Sequence, residues 1–136
     1  MAVRKQVNKL RNKKVMVSGI LFDSKREASR YLELLMLERS GKISNLELQK
    51  EYELIPAKYE AFPRYGKKGQ RLKDGMRCVE KSLKYKADFV YIDNESGQKV
   101  VEDSKGYRDP KSATYAKFVI KRKLMLHIYG IKVREV

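Results

Sequence analysis

Tyr85-Lys86-Ala87-Asp88-Phe89-Val90-Tyr91, the turn Asn94-Glu95-Ser96-Gly97, and Lys99-Val100-Val101-Glu102-Asp103-Ser104-Lys105-Gly106 carry the pattern from which the rest of the fold follows. Short runs of β-branched and aromatic residues on either side of a polar turn predict two antiparallel strands. Ala87 to Asp93 reads as one strand and Lys99 to Ser104 as its neighbour. Side chains on a strand alternate faces, so Asp103 and Lys105 share one side and Glu102 points to the other. Asp88 lies inside an apolar strand, where a carboxylate is costly unless it has a partner or a task. A hairpin centred on 94–97 can bring it close to Asp103.

Upstream, Arg77 to Lys86 reads as the preceding strand. Residues 57–75 contain Pro63, Gly66, Gly69 and Gly75 and predict a long loop. Leu46 to Ile55 is expected as a strand ending at Pro56. Ser24 with Glu27 three residues on forms a capping box. Ala28, Tyr31, Leu32, Leu35 and Met36 follow at helical spacing, and Gly41 closes that helix. Ser18-Gly19 between two apolar triplets predicts a β-hairpin over 15–22. Downstream, Asp109-Pro110 opens a second helix with Tyr115, Phe118, Val119, Met125 and Tyr129 on its apolar face. Gly130 ends it, and Ile131 to Val136 forms a last strand. The expected architecture is α/β: a mixed sheet flanked by helices, with an N-terminal hairpin. Residues 1–14 read as a basic arm and 15–136 as a single domain.

The 136 residues suit one domain, and Leu, Ile, Val and Phe make up about a quarter of them, enough for a core. No apolar run has the roughly 20 residues of a membrane helix, and no leader peptide is expected. One cysteine, Cys78, and one histidine, His127, exclude a disulfide framework, a cysteine zinc cage and a His-metal nuclease motif. The reducing cytosol is the expected compartment. The net charge is +15, which suits a polyanion partner, nucleic acid before acidic membrane. The charge is unevenly placed. Residues 57–86 carry ten basic and three acidic side chains, and 105–123 carry seven basic and one acidic. Between them, 87–104 carry Lys99 against Asp88, Asp93, Glu95, Glu102 and Asp103. Carboxylates repel phosphate, so a plain nucleic-acid binder has no use for them there. A phosphodiesterase that works through a cation does.

Asp88, then Asp103-x-Lys105, preceded by a helix bearing Glu27, resembles the PD-(D/E)XK nuclease superfamily. The wording around Ser24-Lys25-x-Glu27-Ala28, Leu46-x-Leu48-Gln49, Ala87-Asp88-Phe89 and Val100-Val101-Glu102-Asp103-x-Lys105-Gly106 is similar to a set of small phage proteins akin to archaeal-type Holliday-junction resolvases. The resemblance runs from about Ser18 to the C-terminus. Ala87 stands where the superfamily name has proline. The resemblance implies a restriction-endonuclease-like core and a metal-dependent DNA endonuclease selective for branched DNA. Mg2+ would be held by Asp88, Asp103, the Ser104 carbonyl and Glu27, with Mn2+ able to substitute. Lys105 would orient or deprotonate water or stabilise charge, and the products would be 5′-phosphate and 3′-hydroxyl. Two other readings stay open: a nicking or restriction-type endonuclease on duplex DNA, and a non-catalytic nucleic-acid binder of the same fold.

Each residue has a structural reading beside the functional one. Glu27 suits a capping box, Asp88 a buried salt bridge, Asp103 and Lys105 a surface ion pair. Gln49 is a candidate site residue or a plain strand glutamine. Glu102 suits a structural ion pair, and Cys78 a half-buried thiol. Lys117 and Lys121 share a helix face at i, i+4. With Lys111 they are expected to touch phosphates, or else to be a solvated face. Lys67, Lys68 and Arg71 are expected to bind DNA from the 57–75 loop, whose Tyr59, Phe62 and Tyr65 suit stacking on unpaired bases. Resolving a junction needs two matched cuts, which calls for a homodimer.

Overall fold

A computed structural model of the chain describes residues 13–106 and 108–136. The basic arm read from the sequence lies outside them except for Lys13 and Lys14, as does Tyr107. The chain opens with a hairpin, β1 (Val15–Val17) and β2 (Ile20–Phe22), followed by α1 (Lys25–Arg39). The main sheet is built from β3 (Ile43–Ile55), β6 (Leu83–Asp93), β7 (Lys99–Asp103) and β8 (Arg134–Glu135), in the order β3-β6-β7-β8. Its first two pairings are antiparallel and the β7–β8 pairing is parallel. Between β3 and β6 the chain makes a separate ribbon, β4 (Lys58–Tyr65) and β5 (Arg71–Glu80). Helix α2 (Ala113–Tyr129) connects β7 to β8. The fold is the expected mixed α/β one, with a mixed sheet flanked by two helices and an N-terminal hairpin.

Two apolar clusters hold it. Phe22, Ala28, Tyr31, Leu34, Ile43, Phe89 and Tyr91 join α1 and the first hairpin to the sheet. Phe118 and Met125 of α2 pack with Tyr52, Leu54, Tyr85, Val90, Val101 and Val133. Ser24 caps α1 as its composition suggests, its hydroxyl accepting from the Glu27 N–H at 3.1 Å. The expected face holds in part: Ala28 and Tyr31 are buried and Leu35 packs against the core. Leu34 is fully buried, while Leu32 and Met36 are 47% and 70% exposed. The inward stripe runs Glu27, Tyr31, Leu34, the i, i+4, i+7 set.

Several boundaries differ from expectation. The 57–75 stretch is most of the β4–β5 ribbon, not a loop. Its turn residues serve that ribbon: Gly66 and Gly69 form the tip, and Pro63 sits at a break in register between Phe62 and Arg64. The expected strand Arg77 to Lys86 is divided, β5 ending at Glu80 and β6 starting at Leu83. Helix α2 begins at Ala113 under a Ser112 cap, so Asp109-Pro110 precedes it. The last strand shrinks to Arg134–Glu135. Cys78 is exposed rather than half-buried.

The strands that carry Gln49 and Asp88, β3 and β6, do not alternate regularly. Leu46 and Leu48 pack toward α1, yet Tyr52 and Leu54 pack toward α2. All four have even numbers, and a regular strand would keep them on one face. On β6, Tyr85 and Ala87 pack toward α2 while Phe89 and Tyr91 pack toward α1. Both strands therefore exchange faces between the pairs Leu48–Phe89 and Lys50–Ala87. That position holds Gln49 and Asp88. Gln49 has φ +53°, a left-handed backbone that L-residues with a full side chain rarely adopt.

Candidate functional site

The β6–β7 register pairs Phe89 with Glu102, so its continuation sets Asp88 opposite Asp103. The pleat separates Glu102 from Asp103. Glu102, with no exposed surface, faces α1 and is held by both Nε and Nη2 of Arg30, at 3.0 and 2.5 Å, and by the Tyr91 hydroxyl at 2.7 Å. Its oxygens are committed to this ion pair, which ties α1 to β7.

On the other side lies the second carboxylate group. Asp103 is buried. Its Oδ2 accepts from the Tyr85 hydroxyl at 2.7 Å, and Lys105 Nζ lies 2.9 Å from its Oδ1. The Lys105 ammonium also stands 4.3 Å from the centre of the Phe118 ring. Asp88 accepts the Ser104 N–H at 2.8 Å on one oxygen and the Gln49 amide at 3.3 Å on the other. The same Gln49 amide donates to Glu27 Oε1 at 2.7 Å. Glu27, Gln49, Asp88, Asp103, Ser104 and Lys105 thus form one connected set drawn from α1, β3, β6, β7 and the turn after it.

The electrostatics match this crowding. Burial, then the nearby charges of Asp88, Asp23 and Asp103, push the Glu27 carboxyl up to about 7. Burial and the charge of Asp103 push Asp88 up to about 6, against the lowering pull of the Ser104 N–H, Lys105 and Gln49. Burial and the neighbouring Asp103 raise the Tyr85 phenol far above its ordinary value, so it stays a donor. Lys105 is the ammonium bonded directly to this group. The Ser104 hydroxyl is buried with no hydrogen-bond partner.

These observations test whether a hard cation suits the site. Among the described residues no three His, Cys, Asp or Glu side chains make a ready cage. Mg2+ does not need one, because it commonly takes one or two carboxylates and keeps its waters. Adjacent aspartates, a third carboxylate joined to them through Gln49 and an unsatisfied serine hydroxyl form an all-oxygen donor set of excess negative charge. The residues fit.

Among the described residues no hydrogen bond or ion pair joins the other cationic candidates to this group. Lys67 and Lys68 are exposed at the ribbon tip, and Arg71 is paired with Asp74 at 2.6 Å. Lys111 precedes α2; Lys117 on the helix is exposed and Lys121 half-buried. Tyr85 and Arg30 were not singled out from the sequence. Tyr85 lies within the decisive stretch, but strict alternation hides its approach to Asp103. Nothing in the sequence pairs Arg30 with Glu102, 72 residues away.

A family profile described as "Protein of unknown function (DUF1064)" matches residues 7–134. No curated protein and no solved structure gives a significant match. No described helix is long and apolar enough to cross a membrane.

Proposed function

The chain belongs to this family of unknown function, so its chemistry has to be read from the site, and we propose that it is a metal-dependent DNA endonuclease of the PD-(D/E)XK type. The observation that carries the reading is the convergence of Asp88, Asp103, Glu27 and Lys105 in a chain of net charge +15. Asp88 and Asp103 would hold Mg2+ or Mn2+, with Glu27 and the Ser104 carbonyl completing the donor set. Such a cation neutralises phosphate and lowers the pKa of water. The chain's own residues do the positioning. Tyr85 fixes one oxygen of Asp103, and Ser104 N–H fixes one oxygen of Asp88. Gln49 holds Glu27 and Asp88 on either side of one amide. Lys105, partly exposed beside Asp103, is the cation that meets the developing phosphorane charge.

The reading is tested by incubating the full chain with labelled four-way junction, flap, single-strand and linear duplex DNA, with Mg2+, Mn2+ or EDTA. Cleavage with either ion and none in EDTA is expected, leaving 5′-phosphate ends. Asp103→Asn and Lys105→Ala should abolish cleavage and leave DNA affinity similar, or raised for Asp103→Asn, because that change removes a carboxylate that repels phosphate. An Asp103→Asn protein that cuts as fast as wild type overturns the assignment.

A further inference from the structure

The β4–β5 ribbon stands as a sheet of its own. Its side chains are exposed or at most half-buried. A two-stranded hairpin with nothing packed on it is marginal in water. This one also exposes Tyr59, Tyr65, Met76 and Val79, so it is built to meet a partner.

Its charges identify the partner's chemistry. Near the root, acids and bases offset each other: Lys58 stands opposite Glu80, and Glu60 opposite Arg77. Further out, Asp74 is bonded to Arg71. Among the described residues no ion pair occupies Arg64, Lys67, Lys68 or Lys73, and all four lie in the distal half. A second copy of this chain would bring the same four cations and be repelled. A polyanion would not.

The ribbon is also stiffened in the way a rigid reader needs. A Cβ at Gly75 would meet the Phe62 ring at 2.4 Å, so that ring lies directly on the glycine backbone. Arg77 lies over the Phe62 ring and Arg71 over Tyr65, at 5.8 and 5.9 Å. Each of these rings carries a guanidinium of the facing strand over one face.

We propose that the 58–80 ribbon is a groove-binding arm for duplex DNA, entering the major groove with Lys67 and Lys68 leading and Arg64 and Lys73 on the flanking phosphates. The inference rests on the nucleic-acid reading above and adds the form of substrate the arm takes. The B-DNA major groove is about 12 Å wide and admits a two-stranded ribbon. The major groove of duplex RNA is too deep and narrow for side chains to read. The eight residues of β4 span about 25 Å. A helical turn of duplex is about 34 Å, so the ribbon is long enough to follow most of one turn of the groove.

The test measures binding in EDTA, so it does not depend on cleavage. Fluorescence anisotropy of the full chain would be read with duplex DNA, duplex RNA and single-stranded DNA of one sequence. Dimethyl sulfate protection of guanine N7 would report the major groove. Tightest binding to duplex DNA, with N7 protection, is expected. Arg64→Ala, Lys67→Ala, Lys68→Ala and Lys73→Ala together should weaken that binding by about tenfold or more at moderate salt. They should also flatten the salt slope by about 0.9 per lost phosphate contact, and erase the protection. Circular dichroism should be unchanged, and Lys67→Arg with Lys68→Arg should retain binding. Undiminished binding by the quadruple variant overturns the proposal. So does tightest binding to RNA or to the single strand, or a variant that loses a dimer rather than DNA. A chain that binds and protects but never cuts upholds the arm and overturns the nuclease.

Discussion

Glu27 and Asp88 share one Gln49 amide, and both carboxyls hold protons more tightly in the folded chain than in the unfolded one. The sign follows directly. A raised carboxyl pKa stabilises the fold in acid, and that stability is lost as pH rises through the folded value. The loss runs from about 4.5 to about 7 for Glu27 and from about 3.8 to about 6 for Asp88. In metal-free buffer Glu27→Gln is therefore expected to stabilise the protein at about pH 8, on the order of 2 kcal/mol, and to change little at about pH 5. Urea unfolding at the two pH values checks this, and a variant weaker than wild type at the higher pH refutes it. Millimolar Mg2+ should relieve the same repulsion. It should raise the melting temperature at about pH 8 and leave it unchanged at about pH 5, where the carboxyls keep their protons; differential scanning fluorimetry reads both. Gln49 carries a separate load, a left-handed backbone in mid-strand. Gln49→Gly loses the amide and relieves the strain, while Gln49→Ala loses the amide and keeps it. The glycine variant should be the more stable of the two by about 1 kcal/mol. Equal stability would show that the turn of the chain there costs nothing.

At the scale of elements, the ribbon and the two irregular strands explain what the sequence could and could not disclose. The hairpin of β6 and β7 is legible because short apolar runs, Phe89 to Ile92 and Val100-Val101, flank a polar turn, and α1 because Ser24 and Glu27 announce its start. From sequence the ribbon reads as a loop because Pro63, Gly66, Gly69 and Gly75 are all turn-formers by type. Only the pairing shows that Gly75 makes room for Phe62 and that Pro63 falls at the register break. Gly75→Val should therefore displace Phe62 and loosen the ribbon without unfolding the main sheet. Faster hydrogen exchange confined to 58–80 would show this, and protection unchanged from wild type would not. The exchange of faces at Gln49 and Asp88 was illegible for a related reason. Period-two reasoning assumes ordinary strand backbone, and nothing in a glutamine's type signals φ above zero. The site was legible as a set of residue types, Asp88, Asp103, Lys105 and Glu27. The Tyr85 and Gln49 bonds that hold those side chains were not. On α2, Lys117→Ala with Lys121→Ala should flatten the salt dependence of DNA binding by about one unit per lost contact. An unchanged slope would mean that this helix face does not touch the backbone.

For the whole molecule, the arrangement of charge makes the substrate prediction specific. Cationic surface is spread over a ribbon and a helix instead of one recognition helix, an arrangement that suits reading shape more than base sequence. A four-way junction presents duplex arms in several directions at once. An arm that forms a sheet separate from the one bearing the carboxylates gains most when a second duplex lies in its path. Branched DNA should therefore be cut in preference to linear duplex. Resolving a junction requires cuts in two strands of like polarity, and a two-fold dimer supplies two sites in that relation. The first hairpin offers a surface for such an axis. Val15, Val17, Ile20 and Phe22 pack inward with α1, whereas the cross-strand pair Met16 and Leu21 is left 62% and 54% exposed. Light scattering is expected to find two chains per junction. Met16→Ser with Leu21→Ser should reduce this to one while each chain keeps its fold. A cruciform-bearing plasmid then separates paired from single action: wild type should linearise it within one binding event, and the hairpin variant should release a nicked circle. A strict monomer that nicks linear duplex as fast as junctions would instead place the chain among duplex-nicking endonucleases, with the same carboxylates serving a different substrate.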